Sequence, residues 1–194
     1  MGNRQQSLNP GEGKASPTMT KNLLKNPCGE GNMESWEVTE NGGDSWHVED
    51  MPGASGHAFH DAAVTKYFAT SYALCLKKQV VDLLAEGFPA DYLDAQPPVT
   101  VEDWYCGRSD SGFLYELTVS LLDDNEKILQ RFRPDEVAVD AEKDDCSWTK
   151  VTHKFSGYGP GLRFISFEHG GQDTKGWVGW FGVRVTGSSV KVQA

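Results

Sequence analysis

No apolar run in this 194-residue chain approaches the roughly 20 residues needed to cross a bilayer as a helix. The first twenty residues, MGNRQQSLNPGEGKASPTMT, have no apolar h-region, so no secretory signal peptide is expected there. They open Met-Gly, but Gln6 stands where N-myristoylation wants Ser or Thr. Cysteine is sparse: Cys28, Cys75, Cys106 and Cys146 form no CxxC pair and no zinc-type spacing with histidine. Reduced, mostly buried thiols are the expectation. There is no N-x-[ST] sequon, and no GxSxG, HExxH or P-loop. Positive charge is also short. Eighteen Lys and Arg face 28 Asp and Glu, a net charge of −10. That balance argues against nucleic acid as the main partner and against an anionic membrane surface.

Residues 1–20 are polar and carry Gly, Pro and Ser. They cannot bury enough apolar surface to offset ordering, so they read as a disordered tail before a domain spanning 21–194. From there the chain consists of short apolar or alternating runs between turn clusters. ESWEVTENGGDSWHVED reads as two runs around Asn-Gly-Gly-Asp, a hairpin signal, with Trp36 and Val38 on one face and Trp46 and Val48 likewise. KYFATSYALCLKKQVVDLLAEG admits a helical reading, but QVVDLLAE favours a strand. PADYLDAQPP suggests a single helical turn. VTVEDWYCGR, GFLYELTVSLLD, ILQRFRP, SWTKVTHKF, GLRFISFEH and WFGVRVTGSSVKVQ read as strands. About ten strands with one or two short helices predict an all-β jelly-roll sandwich.

Chemistry-bearing groups are thin. His57 and His60 sit three apart in a loop, with no third metal ligand in sight, and read as a solvated loop. The acidic turns LLDDNEK and AEKDDC do not match EF-hand spacing. No metal, cofactor or catalytic group is expected, and an enzyme is the disfavoured reading. Aromatics remain. Trp36, Trp148 and Trp180 read as core. Trp177, flanked by Gly176 and Gly179, suits either a core or an exposed platform. An indole beside acceptors such as Asp173 and Gln172 fits a sugar ring, whose apolar face lies on the indole while polar groups bind its hydroxyls.

The blocks NLLKNPCGE, NGGDSWHVED, KYFATSYALCLKKQVVDLLAEGF, VEDWYCGRSDSG and FSGYGPGLRFISFEHGGQDTKGWVGWFGVRVTGSS, in order over about 21–192, resemble the F-box-associated domain family. The resemblance implies a jelly-roll sandwich of galactose-binding-like architecture. It implies binding of the high-mannose core of N-linked glycans through loops at one end, and delivery of glycoproteins to a ubiquitin ligase. Glycan-binding members carry Tyr-Trp-Lys where this chain has Gly176, Trp177 and Val178. The ligand-binding set implied is Trp177, Tyr72, Gly176, Val178, Lys175 and Asp173. An F-box needs about forty residues, and only some twenty precede the domain. The expectation is therefore an F-box-lacking member, with no direct ubiquitin-ligase contact and glycoproteins or N-glycans as partners. The location expected is the cytoplasm. The alternative is an innate-immune receptor displayed by non-specific cytotoxic cells, the sugar pocket lost.

Overall fold

The computed structural model describes residues 21–194. The tail expected over 1–20 lies outside the described residues. Among the described residues, eleven strands form two antiparallel sheets. The first contains β1 (Glu37–Asn41), β4 (Cys75–Asp82), β10 (Phe164–Asp173), β6 (Phe113–Leu122) and β7 (Ile128–Phe132) in that order, with β8 (Val137–Val139) also paired to β6. The second runs β2 (His47–Asp50), β3 (Lys66–Ala69), β11 (Arg184–Val192), β5 (Val99–Cys106), β9 (Thr149–Phe155). One α-helix, α1 (Ala90–Asp94), and one 3₁₀ turn, Ala141–Lys143, complete the elements. This is the all-β jelly-roll sandwich that the strand spacing predicts. No helix among the described residues is long and apolar enough to cross a membrane.

The core follows from period-two alternation. In β6, Phe113, Tyr115, Leu117, Val119 and Leu121 are buried, and Leu114, Glu116 and Thr118 are only partly so. They meet Val99, Val101, Val185, Val190 and Val192 of the opposing sheet. In β9 the alternation puts Phe155 in the core and Val151 against it.

Several sequence expectations are corrected. β1 and β2 do not form a hairpin. β1 pairs with β4 and β2 with β3, in different sheets. The link turns through Gly43 and Ser45, both at positive φ, and drops Trp46 into the core, which carries the chain across the sandwich. Trp36 and Val38 do not share a face: Trp36 is buried and Val38 exposed. β4 ends at Asp82, and the segment after it is a turn in which Glu86 and Gly87 donate back to Asp82 and Leu84. The closing strand begins at Arg184, not Trp180. Val185, Val190 and Val192 of that strand, and Val183 just before it, are in the core, while Trp180, Phe181 and Trp148 are only partly buried.

A polar knot joins the sheets at the centre. Asp103 of β5 is fully buried and accepts three hydrogen bonds. Tyr115 Oη of β6 donates at 2.6 Å and His169 Nδ1 of β10 lies at 2.6 Å, both on Oδ2, while Ser188 Oγ of β11 donates to Oδ1 at 2.7 Å. Lys77 of β4 is equally buried. Its Nζ makes no hydrogen bond and stands 3.0 Å from the Trp36 ring centroid and 3.8 Å from that of Phe68. Burial pulls the Lys77 amine well below its ordinary range, against the pull of Asp103. His169 stacks on Trp36 at 5.3 Å. Burial lowers its imidazole to about 4, with Asp103 opposing and Lys77 adding to the shift.

This arrangement sets a pH dependence. An unfolded histidine titrates near 6.5, so between about 6.5 and about 4 the unfolded chain takes up a proton at His169 that the folded chain refuses. The stability from neutral His169 is full above that window and is lost as pH falls through it. The urea midpoint is expected to drop between about pH 7 and pH 4.5, with a shallower drop in His169→Gln. Equal slopes for the two proteins would contradict the assignment.

Candidate functional site

β10 leaves the polar knot at His169 and runs to Asp173, where the chain turns into a loop at one end of the sandwich. Asp173 builds that loop. Its Oδ1 accepts the backbone N–H of Lys175 and of Gly176, both at 2.8 Å, which folds the chain back on itself as an Asx-type turn. Gly176 follows at φ +74 with nothing near a would-be Cβ. That is left-handed backbone on an open surface. Beyond it, Trp177 is 59% exposed and Val178 80% exposed.

The far side of the loop is tied to two other segments. Gly179 N–H donates to Asp44 Oδ2 at 2.7 Å, and the Gly179 carbonyl accepts Ser71 Oγ at 2.7 Å. Ser71 Oγ also accepts the Asp44 N–H at 2.9 Å. Tyr72, next to Ser71, is half-exposed and abuts Gly43, where an added Cβ would lie 3.1 Å from the Tyr72 ring. Trp180 donates its indole N–H to the Ser45 carbonyl and stacks on His47 at 4.2 Å. Residues 43–47, 71–72 and 173–181 therefore form one surface.

Beside Trp177 the charges are layered between rings. Lys175 Nζ stands 3.8 Å from the Trp177 ring centroid and 4.7 Å from that of Phe181, and donates to the Asp110 carbonyl at 3.0 Å. Phe181 meets Trp177 edge-on at 6.0 Å. Arg108 covers Phe181 at 4.4 Å and grips Asp110 with two hydrogen bonds, at 3.0 and 2.9 Å. Burial raises the Asp110 carboxyl, but the Arg108 guanidinium outweighs it and holds the group below the usual carboxylate range. A cation over an indole is worth about 0.5–1 kcal/mol at an exposed site. Lys175 therefore steadies the ring and screens one of its faces.

The structure thus brings Asp173, Lys175, Gly176, Trp177 and Val178 together on one loop and sets Tyr72 on the neighbouring one. Asp173 is buried and spends Oδ1 on the loop's own backbone. Sequence reasoning missed Asp44, Ser71, Arg108, Asp110 and Phe181. Nothing in NGGD or TSY signals a pairing across the fold. The acidic turns also serve their own backbone: Asp123 Oδ1 accepts from Asn125 and Lys127, and Asp144 Oδ1 from Cys146. Among the described residues, no group of three or more His, Cys, Asp or Glu is placed to hold a metal ion.

Residues 15–192 match the sequence profile of the F-box associated region. The chain belongs to the F-box-associated family. Bovine F-box only protein 2 is 55% identical over 175 residues, covering 89% of this chain and 59% of that protein. Human F-box only protein 6 is 46% identical over 176 residues, 90% of this chain and 60% of that protein. This F-box-associated chain therefore spans about three-fifths of the length of those relatives. Among solved structures, TmCBM61 in complex with β-1,4-galactotriose superposes with a TM-score of 0.55 at 18% identity, covering 90% of this chain and 100% of that one. At that identity the likeness supports the sandwich fold alone.

Proposed function

We propose that this F-box-associated domain is a non-catalytic recognition module for N-linked glycans on glycoproteins, with Trp177 as its platform. One observation carries the reading. A tryptophan 59% exposed is fixed on a loop whose backbone is held by Asp173, Asp44 and Ser71. Exposing an indole costs hydrophobic stabilisation, and a pinned, solvent-facing ring suits an amphipathic ligand. A pyranose would lie on the face of Trp177 that Lys175 leaves open. The Lys175 ammonium can donate to a hydroxyl, and Tyr72 offers a second aromatic wall from the adjoining loop. We propose this role in connection with ubiquitin-dependent glycoprotein turnover, on the chain's membership of the F-box-associated family.

The second reading is a recognition receptor of non-specific cytotoxic cells, like non-specific cytotoxic cell receptor protein 1, that keeps the sandwich without the sugar pocket. The 80% exposure of Val178 and the bare Gly176 favour it, since neither offers a donor or a ring. A glycan array with the purified chain separates the two. The glycan reading expects signal on high-mannose and chitobiose-core structures above unrelated glycans. An array blank for those, with F-box only protein 2 as positive control, would sink it and leave the receptor reading.

A further inference from the structure

The outer face of the second sheet should meet solvent, yet it carries a second aromatic centre. Two segments fold over it, residues 51–60 and residues 140–148. Arg184 of β11 anchors the first by donating to the Ala54 carbonyl at 2.6 Å and the Pro52 carbonyl at 3.4 Å. Gly56 lets the chain close, since an added Cβ there would lie 2.2 Å from Arg184 Nη1. Under this cover Tyr67 and Cys106 are buried. Beside it a cavity of about 340 Å³ opens, lined by His57, Ala58, His60, Trp104, Ser147 and Trp148. That is within the range of small-ligand sites, about 300–1,000 Å³.

The lining is built. Phe59 meets Trp104 at 5.2 Å and Trp148 at 5.4 Å, both close to perpendicular, so the two indoles are held apart rather than stacked on each other. Both indole N–H groups are already committed, Trp104 to Glu102 Oε2 at 3.0 Å and Trp148 to the His57 carbonyl at 3.1 Å. His57 Nε2 in turn pairs with the Asp145 carbonyl at 2.8 Å. The rings are thus oriented by their edges, and what they offer a ligand is the part of their faces that Phe59 and His60 leave uncovered. His60 leans on Trp104 at 4.5 Å and is itself exposed.

The electrostatics select the ligand. Lys150 Nζ stands 5.9 Å from the Trp104 ring and would repel a second cation. Glu102 at the rim and a net charge of −10 disfavour an anion. What remains is a neutral molecule with an apolar face and hydroxyls at its edge. We infer that the Trp104–Trp148 pocket is a second binding site, for a neutral pyranose ring. It shares no residue with the Trp177 loop, so it stands whether or not that loop binds glycan.

The test is a ¹⁵N titration of the full chain with methyl α-mannopyranoside and with N-acetylglucosamine, following the indole N–H signals. The Trp104 and Trp148 signals are expected to shift saturably with at least one of these sugars. The shift should survive in Trp177→Ala and weaken at least tenfold in Trp148→Ala and in His60→Ala. His60 is exposed, so its variant keeps the test valid should the Trp148 variant fail to fold. Three results would overturn the proposal: signals that stay still at saturating sugar, an affinity unchanged in both variants, or shifts with N-acetyltyrosinamide and neither sugar. The last would make the pocket a seat for a protein side chain.

Discussion

Replacing Asp103 with alanine is expected to cost about 3–5 kcal/mol of folding stability, because it leaves three buried polar groups unpaired at about 1–3 kcal/mol each. The cause lies in what the carboxylate holds. Tyr115, His169 and Ser188 come from three strands in two sheets, and all three bonds end on Asp103. Removing it orphans two buried hydroxyls and an imidazole nitrogen, each with a desolvation penalty of about 1–3 kcal/mol. Domains of this kind hold only about 5–15 kcal/mol in total, so a large share would go. Urea unfolding followed by tryptophan fluorescence measures it. A loss under about 1 kcal/mol would mean the knot does not bind the sheets. Lys77→Met is the informative partner. An amine without a hydrogen bond, wedged between Trp36 and Phe68, is replaced by an apolar chain of similar shape. Stability is expected to hold or rise in that variant, since the buried amine has no hydrogen bond to lose.

The second large effect concerns binding. Trp177→Ala is expected to weaken glycan affinity about tenfold to a hundredfold, taking about 1.5–3 kcal/mol for the burial and stacking of one aromatic platform. The fold should barely register the change, because surface substitutions away from packed features stay within about 0.5 kcal/mol. Trp177 touches Lys175 and Phe181 and is otherwise exposed. The pair of measurements, calorimetric titration with a chitobiose-core glycan and a urea midpoint, separates loss of platform from loss of fold. Unchanged affinity in Trp177→Ala would remove the residue from recognition.

What could be read from the sequence follows from range. The alternation in GFLYELTVSLLD and SWTKVTHKF is local and survives in β6 and β9. The loop residues from Asp173 to Val178 are contiguous, so composition and resemblance marked them together. Asp44 and Ser71 lie more than 100 residues away from Gly179, and no local pattern ties an Asn-Gly-Gly-Asp turn to a distant glycine. The same turn looked like a hairpin because hairpin and crossover links share Gly and Asp; what decides is Trp46, buried between sheets rather than along one. The central knot was invisible for a further reason. Lys77 and Lys78 are adjacent, yet the pleat sends Lys77 into the core and leaves Lys78 on the partly exposed outer face. Asp103 and His169 read as ordinary strand residues until the strands are paired. The outer-face pocket was hidden because HAFH reads as a solvated loop. The ring contacts of Phe59 and His60 show that it packs on Trp104.

The central claim is that the Trp177 loop is a preformed glycan platform. Its most direct test follows the Trp177 indole N–H signal of the full chain during titration with a high-mannose chitobiose-core glycan. A saturable shift of that signal is expected, with accompanying shifts at the backbone amides of Lys175 and Tyr72. A Trp177 signal that stays in place while F-box only protein 2 binds the same glycan would contradict it.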